Sequence, residues 1–351
     1  MTRYHCQINL AEIGSSGQTR LAASSILCVG AGGLAHSALA YLAAAGVGKI
    51  GVIDGDRVES GNLHRQILFN TDDINQNKAR VITTKLRLQN PAIEYFAYEE
   101  FLTEHNAAEL IQQYDVILDC SDNYFTRYLV NDMCYTLNKP DVFAAVLGFT
   151  GYVTTFSRDH TPCYRCLYPA PPALTNVQNC ADFGVFGTVV GVFGLLQATE
   201  AIKILLNIGK PLYGELLRFN LLDSTTSKRQ IPQAANCVLC GSGNELKNYR
   251  EYATFMATEL TVDQVKASWN DLQFLDVREA DEYAEFNLSM PNIPTSILMN
   301  GFDDFAQFDP NQPLLIVCAH GMRSQRAAEL FKHAGFKTVY SLKGGLAEWH
   351  D

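Results

Sequence analysis

Residues 26–65 read ILCVGAGGLAHSALAYLAAAGVGKIGVIDGDRVESGNLHR, and this stretch decides the fold. Residues 26–29 are a short apolar run that reads as a strand, and Gly30-Ala31-Gly32-Gly33-Leu34-Ala35 is a tight turn that opens a helix. The helix is rich in small residues, stops near Gly46 and feeds a second strand, residues 50–53, which ends at Asp54. At such a turn no side chain keeps a phosphate from the backbone N–H groups of the helix N-terminus. Asp54 follows Gly30 by 24 positions, close to where a ribose-binding carboxylate is expected. The order strand, turn, helix, strand predicts an α/β fold with a Rossmann-like, mainly parallel sheet. Glycines at such a joint also serve packing alone, so the turn does not by itself choose a chemistry.

On either side the pattern continues. Residues 1–23 read as an entry helix, residues 78–88 as a helix stopped by Asn90-Pro91, residues 93–98 as a strand and residues 107–113 as a short helix. Residues 114–120 form a buried strand that delivers Ser121-Asp122-Asn123 at its carboxyl end, the end where ligands bind in open α/β sheets. Gly32, Asp54 and Asp122 are therefore expected at one site. Residues 141–145 and 152–156 read as further strands. The apolar run 185–196 is shorter than the roughly 20 residues that span a bilayer and reads as a buried helix or an interface segment. A turn-rich strip, residues 234–247, marks the boundary. The expected domains are 1–240 and 251–351, joined by a linker over 241–250. The second domain is a small α/β unit with a helix over 261–268 and strands at 272–275 and 314–317.

A chain of 351 residues suits two domains, and 47% apolar residues suffice for a buried core. A formal net charge of −10 argues against nucleic acid or an anionic membrane as partner. The N-terminal residues show no signal-peptide pattern, so the ten cysteines point to metal or thiol chemistry and the chain is expected in the cytoplasm.

Past the second strand, Arg65 and Lys78 supply two cations, which a reaction releasing pyrophosphate needs over its leaving group. Asp122, at a strand end, suits a Mg²⁺ that bridges phosphate oxygens. A nicotinamide enzyme needs none of these, because its pyrophosphate is not cleaved. Taken singly, each charge is also what a solvated surface carries. Cys163-Tyr164-Arg165-Cys166 and Cys237-Val238-Leu239-Cys240 form two CxxC pairs, a set that suits a closed, structural Zn²⁺ with four sulfur ligands. The metal would staple two distant segments together.

Arg3-Tyr4, the turn at residues 30–35, Asp54-Gly55-Asp56, Gly61-Asn62-Leu63-His64-Arg65-Gln66, Lys78 and Asp122-Asn123 follow one another in a telling order. With Cys163-Tyr164-Arg165-Cys166 and residues 197–203, QATEAIK, the first 240 residues resemble the adenylating enzymes of ubiquitin-like sulfur carriers. That family includes the molybdopterin-synthase and thiamine-pathway adenylyltransferases. The resemblance implies ATP-dependent adenylation of a carrier protein's C-terminal Gly-Gly carboxylate by a homodimer. It implies that Gly30, Gly32 and Gly33 approach ATP, with Leu63, His64 and Asn123 beside it. Asp54 would hold the ribose, Asn62, Arg65 and Lys78 the phosphates, and Asp122 the Mg²⁺. Cys180 matches a cysteine that in some members bonds covalently to the carrier; a buried small residue is the other reading. Ala35 replaces the usual last glycine of the turn, Gly61 stands in place of a usual serine, and Cys6 in place of a usual arginine.

In the second domain, residues 314–324, LLIVCAHGMRS, read as strand, loop and a helix from about Ser324. Backbone N–H groups and a helix N-terminus facing Cys318 would favour its thiolate, and Arg323 adds a cation. A cysteine phosphatase separates Cys from Arg by five residues; only four intervene here, which favours sulfur over phosphate. With Asp276-Val277-Arg278-Glu279 and residues 342–349, LKGGLAEW, this domain resembles rhodaneses, sulfurtransferases that carry a persulfide on cysteine. Asp276 and Arg278 read as a structural, salt-bridged strand end. Together the halves predict adenylation of the carrier and sulfur transfer from a Cys318 persulfide, with a cysteine desulfurase or thiosulfate as sulfur donor. The alternatives are a nucleotide-dependent oxidoreductase and a non-catalytic carrier-binding regulator.

Overall fold

Strand β1, Ser25–Val29, is buried along its whole length, as a central strand covered on both faces must be. In the computed structural model, which describes residues 3–160, 162–169, 184–241, 257–298, 305–319 and 321–349, β1 lies inside an eight-stranded sheet. Its other strands are β2 (Lys49–Ile53), β3 (Glu94–Tyr98), β4 (Val116–Asp119), β5 (Asp141–Leu147), β6 (Thr150–Phe156), β7 (Glu215–Asn220) and β8 (Thr225–Gln230). The spatial order is β3-β2-β1-β4-β5-β6-β7-β8. Strands β1 to β5 run parallel, and β6, β7 and β8 add on antiparallel. The chain moves outward from β1 to β3 and then returns to β4 on the other side, so the carboxyl ends of β1 and β4 border the switch point where ligands bind in such sheets.

Two helices cover one face of that switch point. Gly33–Ala45 crosses Gly187–Leu206 closely enough that a Cβ at Gly194 would collide with the backbone carbonyl of Leu34. Ser37 Oγ donates to the Gly191 carbonyl at 2.8 Å, binding the two helices where they touch. Gly187–Leu206 has 20 residues and a mean hydropathy of 1.7, so it is longer than the run 185–196 suggested and long and apolar enough to cross a membrane. Its polar residues show why it sits in this core. Gln197 is fully buried and donates to the carbonyls of Asp119 and Val142, both at 2.9 Å, tying β4 to β5. Glu200 accepts from the Leu212 N–H at 2.8 Å.

The entry segment is two short helices, His5–Ile8 and Gly14–Ala22, rather than one. Asn90 donates to the Tyr4 hydroxyl at 2.8 Å and Arg3 to the Gln89 carbonyl at 3.0 Å, which pins the segment to the end of the Lys78–Gln89 helix.

The chain divides into two compact units, and the described residues from 257 onward belong to the second. That unit has its own four-stranded parallel sheet of β9 (Thr258–Leu260), β10 (Gln273–Asp276), β11 (Leu314–Val317) and β12 (Val339–Leu342). The order is β10-β11-β12-β9. Thr261 caps the Val262–Ala267 helix with a reciprocal capping box to Gln264. At the end of β10, Arg278 grips the Asp276 carboxylate with Nε and Nη2 (2.7 Å to the latter) and the Phe286 carbonyl at 2.6 Å, so this pair is a structural strand end.

Candidate functional sites

In the first unit the glycine turn is built by its neighbours. Gly30 takes φ +91°, and a Cβ there would press on the Cys120 carbonyl at 3.0 Å, so β1 can pass close to the end of β4 only with glycine. Asp54, at the end of β2, accepts from the Ala31 N–H at 2.7 Å and from the Asp56 N–H at 2.8 Å. Burial raises its pKa to about 6, with the Asp56 carboxylate adding to the shift and Lys78 opposing it. A Cβ on Gly32 would meet nothing within 4 Å, whereas one on Gly33 would strike Val190 at 2.7 Å. Open space therefore lies above Gly32, while Gly33 is backed by protein.

Lys78 begins the Lys78–Gln89 helix, whose N-cap Asn77 also donates to the carbonyls of Asp54 (3.0 Å) and Asp56 (3.3 Å). Its ammonium is buried and lies 3.0 Å from an Asp56 oxygen. Burial works against its charge, but Asp56 and Asp54 outweigh it and hold the pKa above the ordinary lysine value. Arg65 is fixed by three contacts: Nη2 to Asn62 Oδ1 at 2.9 Å, and Nη1 to the Gly61 carbonyl at 3.2 Å and to His64 Nε2 at 2.7 Å. A guanidinium only donates, so His64 accepts on Nε2 and carries its proton on Nδ1. Asn62 is buried and also donates to Glu59; Leu63 packs on the core. Asn62 therefore holds Arg65 in place as the protein stands.

At the end of β4, Asp119 accepts from the Ser121 N–H at 3.0 Å and its hydroxyl at 2.5 Å, and Arg127 donates to the Ser121 carbonyl at 3.1 Å. Asn123 caps the Tyr124–Thr136 helix by accepting from the Thr126 N–H at 2.9 Å. Between them Asp122 stands exposed, with no hydrogen bond to another described residue. A hard divalent cation prefers such an exposed carboxylate that no neighbour has claimed.

His36 joins these parts and escaped the sequence reading. Fully buried in the first turn of Gly33–Ala45, it accepts on Nδ1 from the Leu68 N–H at 2.9 Å and meets the Ala31 carbonyl with Nε2 at 3.2 Å. Its ring packs edge-on against Phe69 at 4.4 Å. Burial lowers its pKa to about 3, so it is neutral and ties the glycine turn to the loop that carries Arg65. The one ionisable imidazole in a helix made mostly of alanines and leucines was the available signal.

The two CxxC pairs meet. The Sγ atoms of Cys163, Cys166, Cys237 and Cys240 all lie within 4.8 Å of one another, with Cys163 to Cys237 at 3.6 Å and Cys166 to Cys240 at 3.3 Å. A tetrahedral ion with bonds of about 2.3 Å to sulfur spaces its ligands about 3.8 Å apart, so the cluster fits a four-sulfur zinc site. Burial and the neighbouring sulfurs push the Cys163 thiol up, and Cys240 reaches about 12. Four thiolates this close need a cation between them. The Ala234 N–H points at Cys166 Sγ from 3.4 Å, the kind of outer contact that steadies a metal-binding thiolate.

In the second unit Cys318 directly follows β11 and is 1% exposed. Gly321, at φ +90°, donates its N–H to Cys318 Sγ at 3.1 Å and starts the Met322–His333 helix. Leu346 and Ala347 donate N–H groups to the carbonyls of Cys318 (2.8 Å) and Ala319 (2.9 Å), closing the Gly344-Gly345 turn over the loop. Arg323 is the cation expected beside the sulfur, close enough that the Cys318 charge helps to hold its pKa up, and both its Nη atoms also bond Glu282, at 2.5 and 2.6 Å, a pairing the sequence reading did not include. That hydrogen bonding holds the Glu282 pKa below its ordinary value. Cys180 and residues 242–250 of the expected linker lie outside the described residues.

The ThiF family matches residues 4–240 and the rhodanese-like domain matches residues 261–351. Among curated proteins, a Thermus thermophilus sulfur carrier protein adenylyltransferase is 44% identical over 73% of this chain and 96% of its own. The Zea mays adenylyltransferase and sulfurtransferase MOCS3-1 is 35% identical over 99% of this chain and 81% of its own. Among solved structures, E. coli MccB with ATP superposes with a TM-score of 0.60 at 22% identity, over 68% of this chain and 74% of that one, a likeness of fold.

Proposed function

The chain belongs to the ThiF family and carries a C-terminal rhodanese-like domain, and on that premise we propose that it adenylates a ubiquitin-like sulfur carrier protein and then transfers sulfur to it. The carrier's C-terminal glycine carboxylate attacks the α-phosphate of ATP, forming an acyl-adenylate and releasing pyrophosphate. The terminal sulfur of a Cys318 persulfide then attacks the acyl carbon and expels AMP, leaving an acyl disulfide. A thiol cleaves its S–S bond and frees the thiocarboxylate. The full-length likeness to adenylyltransferase and sulfurtransferase relatives supports both halves of the sequence.

The observation that carries the first half is the gathering of Gly32, Asp54, Lys78 and Arg65 around the carboxyl ends of β1 and β2, with open space above Gly32. Backbone N–H groups and two cations suit a triphosphate, and the Asp54 carboxylate suits ribose hydroxyls. Asp122 is the residue that would hold Mg²⁺, which neutralises charge on the phosphates. Zn²⁺ would be held by Cys163, Cys166, Cys237 and Cys240 and would staple the segments that flank β6 and β8. The same reading makes the carrier one of the molybdopterin or thiamine pathways, the enzyme a homodimer, and its compartment the cytoplasm, where thiols stay reduced.

ATP–pyrophosphate exchange with a Gly-Gly-ending carrier tests the reading. Exchange that depends on the carrier and on its two terminal glycines is expected. Carrier binding without exchange would leave a regulator instead.

A further inference from the structure

Behind the Cys318 sulfur lie two fully buried hydroxyls. Ser324 Oγ is 3.4 Å from Cys318 Sγ, and Ser341 Oγ, on β12, is 2.7 Å from Ser324 Oγ. Ser324 also reaches the Gly321 carbonyl at 2.9 Å, and Ser341 reaches it at 3.5 Å.

Each hydroxyl has one proton, so their orientation depends on the sulfur. With Cys318 as a thiol, the S–H donates to Ser324, Ser324 donates to the Gly321 carbonyl, and Ser341 donates to Ser324. With Cys318 as a thiolate, the sulfur has no proton and needs donors beyond the Gly321 N–H. Ser324 can then turn its proton to the sulfur. The Gly321 carbonyl is not orphaned by that turn, because it keeps the helical N–H of Gln325 at 3.1 Å. Once the S–H is gone, Ser341 is the only hydroxyl beside Ser324 among the described residues that still donates to it, and a hydroxyl that receives a hydrogen bond gives a stronger one.

We propose that Ser324 and Ser341 form a two-hydroxyl relay in which Ser324 turns its proton toward Cys318 when the sulfur is ionised, with Ser341 as a positioning residue that donates to Ser324 throughout and acts through it. The relay rests on the reading of Cys318 as the sulfur carrier only for its purpose. There the thiolate is the form that takes sulfur from thiosulfate, releasing sulfite, and the form that leaves when the persulfide gives its outer sulfur to cyanide. A donor aimed at Sγ serves both moments. The charged pair beside the loop, Arg323 with Glu282, is untouched by a change at Ser341.

The test is the pH dependence of Cys318 alkylation by iodoacetamide in the full chain, read by mass spectrometry of the Cys318 peptide. Ser341→Ala should move the profile to higher pH and slow alkylation at pH 7 by about twofold to tenfold, with the same rate once the thiol is fully ionised. Ser341→Thr, which keeps the hydroxyl, should follow the wild type. In a Ser324→Ala background, Ser341→Ala should add nothing. Superimposable profiles, a Thr variant as slow as Ala, or full additivity with Ser324→Ala would each overturn the relay. A general loosening of the core would speed alkylation at every pH and would also count against it. Failure of the underlying reading shows elsewhere: Cys318→Ala would then keep thiosulfate–cyanide sulfur transfer while the alkylation profiles stood.

Discussion

The turn at Gly30 and the loop at Cys318 share one geometry, which the proposed function puts to use for two different anions. Each follows a parallel strand, bends at a glycine with φ near +90°, and leads into a helix. In the first, the inner N–H of the turn is taken by a protein carboxylate, Asp54, and the outer surface over Gly32 is left open. In the second, the N–H of the bend is taken by the sulfur of Cys318 itself, and the sulfur is almost wholly covered. An anion that must enter and leave calls for an open cradle held from behind. An anion that is part of the chain calls for donors wrapped around it. The supporting groups follow that logic: charged and far apart in sequence for the first, neutral hydroxyls for the second.

If the two loops are separate devices, each can be broken alone. Lys78→Ala removes a buried cation, and if that cation meets the phosphates as proposed, exchange should fall by about 10²- to 10³-fold. Thiosulfate–cyanide sulfur transfer by the same variant should stay within about twofold of wild type, which also certifies that the second unit is folded. Cys318→Ala should show the reverse, with sulfur transfer at background and exchange intact. Loss of exchange in Cys318→Ala would make the two loops parts of one site and end the comparison.

That the elements around Gly30 could be read so fully from sequence follows from their locality. The strand, turn and helix of residues 26–65 are contiguous, and their roles depend on spacing along one chain. The cysteine cluster was legible for a different reason: two CxxC pairs at sites 74 residues apart say little alone, but four thiolates have few other uses. What stayed hidden depends on tertiary neighbours. His36 gains its role only because Leu68 and Phe69 fold back over it. Strands β7 and β8 were passed over because β8 is the exposed edge of the sheet, β7 beside it is only half-buried, and neither carries a clear apolar alternation. In the second unit, the short strands β9 and β12 and the pairing of Arg323 with Glu282 depend on contacts across the unit.

Acid should separate the loops next, at smaller amplitude. Asp54 has a folded pKa of about 6, above the ordinary 3.8, so the protonated form favours the folded chain and its stabilising effect fades as pH rises from about 4 to 6. His36 works in the opposite direction: with a folded pKa of about 3, below 6.5, its stabilising effect is full above pH 6.5 and is lost as pH falls toward 3. Function follows Asp54. If its ionised carboxylate accepts from the ribose hydroxyls as proposed, the KM for ATP in exchange should rise up to about tenfold between pH 7 and pH 5. Asp54→Asn should start with a raised KM and show no such rise. Thermal unfolding of His36→Asn should lose less stability than wild type between pH 6.5 and 4. A wild-type KM that is flat across this window would mean that Asp54 only holds Ala31 and does not touch the nucleotide.

The smallest effect concerns Gly61, where the resemblance in sequence leads one to expect serine. The carbonyl of Gly61 accepts from Arg65, and a Cβ placed on it would meet nothing within 4 Å. Its φ lies outside the left-handed region, so serine is compatible with the backbone as well as with the space. Gly61→Ser should therefore change stability by no more than about 0.5 kcal/mol. The new hydroxyl would stand in open space on the loop that holds Arg65. If that space is where the phosphates bind, the hydroxyl adds one hydrogen bond, and the KM for ATP should fall by about twofold to fivefold. The Cys318 loop offers no counterpart, because its anion is already enclosed by its own chain. A Gly61→Ser variant with normal stability and a higher KM would move the triphosphate away from Arg65 and toward the end of β4, where Asp122 stands alone.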